Sequence, residues 1–343
     1  MIDVLGLTGE EFAGEAKRLV AETAGLAPRI YADVFKTGRL DAAAAGASER
    51  NARRWAEHFD VGTLRLQDRL ETEGNAGTTT KFVFGTRTGE RIESVSIPMY
   101  GGTRTLCVSS QVGCGRACAF CETGRGGFVR DLSAAEIVAQ VLSAALILGV
   151  RFRNIVFMGM GEPLDNLANV AKAIEVLGDR RGYAYSLERI TVCTSGDAAG
   201  IERLGRLGLK RLNLSISLNA GRDELRDALM PVNRRTPLAA LAQALAAYPK
   251  RRNFVLGVNY CLLPGINDGA EDAAAVARFC GAVGRALVNL IPYNPGRDPI
   301  APAPTMAETD RFLALLGAAG VPVRLRIEKG RSVMAACGQL GGT

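Results

Sequence analysis

Cys114-Gly-Arg-Ala-Cys118-Ala-Phe-Cys121 sets three cysteines on one short stretch at the spacing C-x3-C-x2-C. A [4Fe–4S] cluster held by thiolates ordinarily takes four cysteines. Three on one tight loop leave one iron without a protein ligand. Such an iron can take a chelating molecule, such as the amino and carboxylate groups of S-adenosylmethionine. The alternative readings are a zinc knuckle or three buried thiols. Structural zinc sites usually pair C-x2-C units and complete four ligands. The nearest further cysteine here is Cys107, so the open cluster is the reading carried forward.

Around this loop the chain alternates. Strands are expected at 107–112, 154–159, 189–194, 211–218, 254–262 and 286–292. Helices are expected at 133–148, 166–178, 197–207, 236–248, 269–283 and 306–319. Six strands alternating with helices predict a parallel sheet with right-handed crossovers. An α/β fold of partial (β/α)6-barrel form follows, with its site at the C-terminal ends of the strands. A doubly wound open sheet is the alternative.

Upstream, Lys81-Phe-Val-Phe-Gly85 and Arg91-Ile-Glu-Ser-Val-Ser-Ile97 are joined by Arg87-Thr-Gly-Glu90, a hairpin signal. Residues 1–75 read as helices, with a Thr8 cap three residues before Glu11. The division expected is a helical domain over 1–75, a hairpin linker over 76–106 and the barrel over 107–343. The first segment interleaves Arg50, Arg53 and Arg54 with Tyr31, Phe35, Trp55 and Phe59. It reads either as an RNA-docking module or as a solvated cap whose aromatics are core. His58, the single histidine, is assigned no role.

The 343 residues are 48% hydrophobic, enough for a sizeable core, and the net charge of +7 favours a polyanionic partner. No long apolar run and no signal-peptide pattern is present, so a soluble, cytoplasmic protein without membrane contact is expected. Eight cysteines with no framework spacing suit a reducing compartment. Cys261 and Cys280 read as packing residues.

Phe157-Met-Gly-Met-Gly161-Glu162-Pro163 follows the second barrel strand. Its glycines permit close backbone approach, and Glu162 offers an acceptor to an ammonium group. With Cys107-Val-Ser-Ser-Gln-Val-Gly-Cys114, Asn289-Leu-Ile-Pro-Tyr-Asn294-Pro and Ala335-Ala-Cys337-Gly-Gln-Leu340, the chain resembles the RlmN/Cfr family of radical-SAM RNA methyltransferases. The resemblance runs from about Ile92 to Leu340.

It implies methylation of an adenosine ring carbon, carbon 2 ahead of carbon 8, in rRNA or tRNA. It implies Cys114, Cys118 and Cys121 as cluster ligands and two S-adenosylmethionine molecules per turnover. Cys337 matches the methyl-carrying cysteine, Cys107 the thiol that resolves it through a transient disulfide, and Glu93 the proton acceptor. Gly161, Glu162, Cys193, Ser217, Leu218, Asn219 and Asn294 match cofactor-binding positions. An electron donor such as flavodoxin or ferredoxin and a monomeric enzyme are further implied. Some positions depart from the family. Cys193 stands where Ser is usual, Asn219 where His is usual, and Met99-Tyr-Gly-Gly-Thr replaces an acidic run. These departures mark a divergent paralogue. The same methyl-cysteine chemistry on a peptide or small molecule is the alternative function.

Overall fold

The computed structural model describes residues 1–326 and 329–341. Ten strands form one sheet: β1 (Arg65–Thr72), β2 (Thr79–Gly85), β3 (Arg91–Pro98), β4 (Arg104–Val108), β5 (Asn154–Phe157), β6 (Ile190–Thr194), β7 (Asn213–Ser217), β8 (Leu256–Leu262), β9 (Ala286–Pro292) and β10 (Val323–Leu325). Spatial order equals chain order throughout. From β4 to β10 every neighbour is parallel, and from β1 to β4 every neighbour is antiparallel. A doubly wound sheet would reverse its strand order at a switch point. This one never reverses, so the expected partial barrel is the fold, with the short β10 as an added seventh parallel strand.

The helices follow the apolar periodicity. They are α1 (Gly9–Leu19), α2 (Ala27–Thr37), α3 (Glu49–His58), α4 (Ala134–Leu148), α5 (Leu167–Gly178), α6 (Ala198–Arg206), α7 (Asp223–Leu229), α8 (Leu238–Ala247), α9 (Ala270–Val283) and α10 (Met306–Ala318). Thr8 caps α1 and Ser133 caps α4, each in a reciprocal box with a Glu three residues on. Such a cap satisfies two backbone donors that a helix start leaves unpaired. Among the described residues no helix is long and apolar enough to cross a membrane.

Strand alternation sorts the barrel into two chemistries. Leu106, Val108, Ile155, Val192, Leu214, Ile216, Val258 and Leu290 face the helices in one continuous core. The register places Cys107, Val156, Thr191 and Asn213 in one row on the opposite face, and Ser217, Asn259, Asn289 and Arg324 in another. The polar inner face is therefore written into the strands at period two.

Two expectations change at the N-terminal side. Residues 65–72, expected as helix, form the edge strand β1, mostly exposed. Their polar side chains bury little in either conformation, so backbone pairing to β2 decides. The hairpin β2–β3 is present, and it continues the barrel sheet through β3 and β4. Tyr31, Trp55 and Phe59 are buried, and Phe12 lies 5.1 Å from Phe59 and 5.6 Å from Trp55 between ring centroids. These aromatics are core, as the solvated-cap reading had it, so RNA contact by this segment would fall to its arginines. Glu11 pairs with Lys172, and Gly9 N–H donates to Asp179 at 2.7 Å, fastening α1 to α5.

Trp55→Ala removes the centre of this nest and should cost about 3–5 kcal/mol. Chemical denaturation reads it as a lower midpoint. An unchanged midpoint would show that the nest does not anchor the N-terminal helices.

Candidate active site

The C-terminal ends of the parallel strands open on a central cavity. Cys114, Cys118 and Cys121 line it together with Gly161, Glu162, Cys193, Ser217 and Asn219. The three cysteines sit on a loop so tight that a Cβ on Gly124 would lie 2.9 Å from the Cys118 nitrogen. Burial pushes the Cys114 thiol up to about 11 and the Cys118 thiol higher, and both feel their cysteine neighbours. Among the described residues no three His, Cys, Asp or Glu side chains gather tightly enough for one metal ion. Three thiols spread around one cavity suit the wider reach of a cluster.

Glu162 is buried, and its carboxylate accepts from the Ser195 N–H at 2.7 Å and the Leu164 N–H at 3.1 Å. Burial pushes it up, while the Arg116 guanidinium pulls against that. Arg116 lines the cavity too, and its buried Nε has no hydrogen-bond partner among the described residues. A fixed acceptor beside an unsatisfied guanidinium N–H fits a ligand that carries both an ammonium and a carboxylate, as the methionine end of S-adenosylmethionine does. Gly161 has φ +98°, and a Cβ there would lie 2.6 Å from the Gln111 side chain. Its glycine is required by that neighbour before any ligand.

The inner wall is a hydrogen-bonded ladder. Asn259 Nδ2 donates to Ser215 Oγ at 2.9 Å and lies 3.2 Å from Cys193 Sγ, and Asn289 Nδ2 donates to Asn259 Oδ1 at 3.1 Å. Cys193 and Ser217 approach at 3.5 Å. Asn219 adopts φ +56°, a region Asn tolerates better than most residues. Its Oδ1 accepts from the Cys261 N–H at 2.9 Å and its Nδ2 faces Met230 Sδ at 3.2 Å. Both ends of the amide are engaged within the wall.

Three of the expected residues take less obvious places. Leu218 lies in the core outside the cavity lining, with its carbonyl held by Arg226. Asn294 lines the neighbouring outer cavity, where its Nδ2 lies 3.4 Å from the Cys337 carbonyl. Cys261, expected as packing, lines the central cavity, because strand alternation turns it to the same side as Asn259.

Cys107 lies in a small apolar cluster with Val95, Met160, Ala335 and Leu340. Burial pushes its thiol far up, and Cys337 is within electrostatic reach. Cys337 opens to solvent yet is ringed by protein, so burial pushes it up and Arg326 pulls it down. It belongs to both cavities, as do Met158 and Ile291. All eight cysteines are free thiols in this structure.

Glu93 shares a sheet face with Val95 and so with Cys107. It is buried against Lys81, whose Nζ lies 3.0 Å from Glu93 Oε2. Lys81 also donates to the Met334 carbonyl at 3.0 Å, and the Gly341 N–H donates to Glu93 at 2.9 Å. The pair thus grips the Cys337 loop on both sides. Sequence reasoning missed Lys81, which stands in an apolar strand with no motif around it. It also missed Arg226, fully buried, which donates to the carbonyls of Ser195, Ser217 and Leu218 at the ends of β6 and β7. Burial pulls Arg226 down to about 10. Sequence reasoning missed Asn259 too, for which the alternation with Val258 and Tyr260 was the available signal.

Lys81→Met strands the Glu93 carboxylate without its cation and should cost about 3–5 kcal/mol. Adding Glu93→Gln should recover part of that loss. Anaerobic denaturation of the single and double variants checks this, and additive losses would show that the two side chains are not coupled.

Residues 108–280 match the Radical SAM superfamily. The chain is similar to the probable dual-specificity RNA methyltransferase RlmN 1 of Protochlamydia amoebophila, 38% identical over 99% of this chain and 94% of that one. It is 42% identical to the dual-specificity RNA methyltransferase RlmN of Syntrophobacter fumaroxidans, over 85% of this chain and 88% of that one. Among solved structures it resembles a radical SAM methyltransferase from Sphaerobacter thermophilus, with TM-score 0.90, 34% identity and full coverage of both chains.

Proposed function

The chain belongs to the RlmN family of radical SAM RNA methyltransferases, and from that premise we propose that it methylates an adenosine ring carbon, carbon 2 in preference to carbon 8, in rRNA or tRNA. The observation that carries this reading is the placement of Cys107 and Cys337. They come from the first parallel strand and a loop beyond the last: Cys107 is buried against Ala335 and Leu340 of the segment that carries Cys337, and Cys337 is within its electrostatic reach. A ring carbon of adenine has no lone pair to attack a methyl donor, so the methyl group needs a carrier that can become a carbon radical.

The family's [4Fe–4S] cluster and S-adenosylmethionine supply methyl groups and a radical that abstracts hydrogen. Cys114, Cys118 and Cys121 would hold the cluster, and Glu162 with Arg116 would hold the methionine end of the cofactor. Two cofactor molecules are consumed per turnover, one for each role. Cys337 carries the methyl group and, after losing a hydrogen atom, bonds through that carbon to adenine. Glu93 takes the ring proton. With that proton the adduct gives up its odd electron to the redox centre; Cys107 then attacks the Cys337 sulfur and the freed carbon takes up a proton, which releases the methylated RNA and leaves a disulfide for reduction. Burial holds Cys107 as a thiol at rest, so its attack requires a base. The enzyme acts as a monomer, with a flavodoxin- or ferredoxin-type electron donor.

Three variants test the division of labour. Cys118→Ala should abolish reductive cleavage of S-adenosylmethionine. Cys337→Ala should form neither methylated RNA nor a covalent adduct. Cys107→Ala should trap RNA covalently on the Cys337 peptide, seen by denaturing electrophoresis and peptide mass mapping. An adduct in Cys337→Ala, or normal turnover in Cys107→Ala, would overturn the roles.

A further inference from the structure

The outer cavity lies on the far side of Cys337 from the cysteine triad. Its floor is apolar, with Ile97, Met158, Ile291 and Ala336. Its rim is of a different kind: Tyr100, Arg324, Arg326 and Lys329. Tyr100 is 69% exposed, unusual for an aromatic side chain beside a reactive centre. It sits in a turn closed by the Met99 N–H donating to the Thr103 carbonyl at 2.8 Å. Gly101 and Gly102 both have left-handed φ, +79° and +73°, so only a Gly-Gly pair makes this turn without strain. Lys329 lies over the Tyr100 ring, 5.9 Å from its centroid, and donates to the Pro98 carbonyl.

None of the described residues that line this cavity is acidic. Burial and then the charge of Arg326 weaken the hold of Lys329 on its proton, and at Cys337, which burial pushes up, Arg326 pulls the other way. Like charges gathered without a counterion are costly until an anion arrives. Moreover, the Met99–Thr103 turn carries no acid of its own, one of the positions at which the sequence departs from the family it resembles.

An exposed ring beside phosphate-seeking cations is the equipment of a single-strand nucleic-acid site. A duplex would not serve, because its bases are stacked out of reach of the ring. We propose that Tyr100 stacks on the base adjoining the target adenosine in single-stranded RNA, while Arg324, Arg326 and Lys329 hold the phosphates on either side. The inference rests on the reading of RNA as substrate. It adds a subsite that selects for an unstacked neighbour as well as an unstacked target.

The test uses the cluster-loaded full chain and fluorescein-labelled single-stranded oligoribonucleotides of about eight nucleotides, each with one adenosine. Matched oligomers carry an abasic residue on its 5′ or 3′ side. Binding is read by anisotropy, and cluster absorbance reports that each variant has folded. Tyr100→Leu should weaken binding about tenfold, within the range known for base–aromatic stacking, and Tyr100→Trp should restore it. One of the two abasic oligomers should show the same loss, with no further loss when combined with Tyr100→Leu. Arg324→Ala and Arg326→Ala should each flatten the slope of log affinity against log salt by about 0.7. Full affinity in Tyr100→Leu, or additive losses with both abasic oligomers, would overturn the stacking subsite alone. Failure of the wild-type chain to bind any of the oligomers would sink the RNA reading and this inference with it.

Discussion

Lys81 and Glu93 form an ion pair with almost no access to water, 0% and 4% exposed at the side chain. Neither could be buried alone, since an isolated charge in a protein interior costs several kcal/mol. Each is further bonded to the segment that carries Cys337: Lys81 to the Met334 carbonyl and Glu93 to the Gly341 N–H. Thr123 holds the same segment through the Leu340 carbonyl, and the Glu122 N–H holds it through Gly338. So the antiparallel strands beside the barrel and the loop after the third cysteine together fix where Cys337 stands. If the Lys81–Glu93 pair failed, the barrel could persist, but the placement of Cys337 would not.

That placement makes Cys337 a boundary. One cavity behind it gathers the cysteine triad, Glu162 and the polar ladder of the inner wall. The other opens on an apolar floor and a cationic rim. The two cavities meet at the Cys337 side chain, together with Met158 and Ile291. Cys107 sits apart, within an apolar cluster, where burial pushes its thiol up.

The barrel was legible because its code is short in range. Apolar residues at period two on one strand face and polar residues on the other do not depend on distant sequence. The capping boxes at Thr8 and Ser133 are likewise local. The cysteine triad was legible for the same reason, since its spacing is its geometry. What escaped was set by partners far along the chain. Lys81 reads as an intruder in an apolar strand until Glu93 and the Met334 carbonyl are placed beside it. Arg226 carries no local signal, and its place is set only when the carbonyls of Ser195, Ser217 and Leu218 close around it. Residues 65–72 carry no periodicity of their own, and only the waiting edge of β2 makes them a strand. Cys261 packs against a small buried cluster, as expected, and its strand face also brings it to the central cavity.

The strand order also carries a consequence for how the molecule comes into being. Because neighbours in space are neighbours in sequence, each β/α unit can dock on the one before it as the chain emerges from the ribosome. The sheet grows in one direction with short loops to close, which favours orderly assembly during synthesis. The Cys337 segment is the exception. Its anchors, Lys81 and Glu93, are made some 250 residues earlier, at separations of 253 to Met334 and 248 to Gly341. The loop of Cys114, Cys118 and Cys121 and the polar inner wall can therefore be in place in a half-built barrel while Cys337 is still to come. The two cavities acquire their shared residue only when this long-range closure is made.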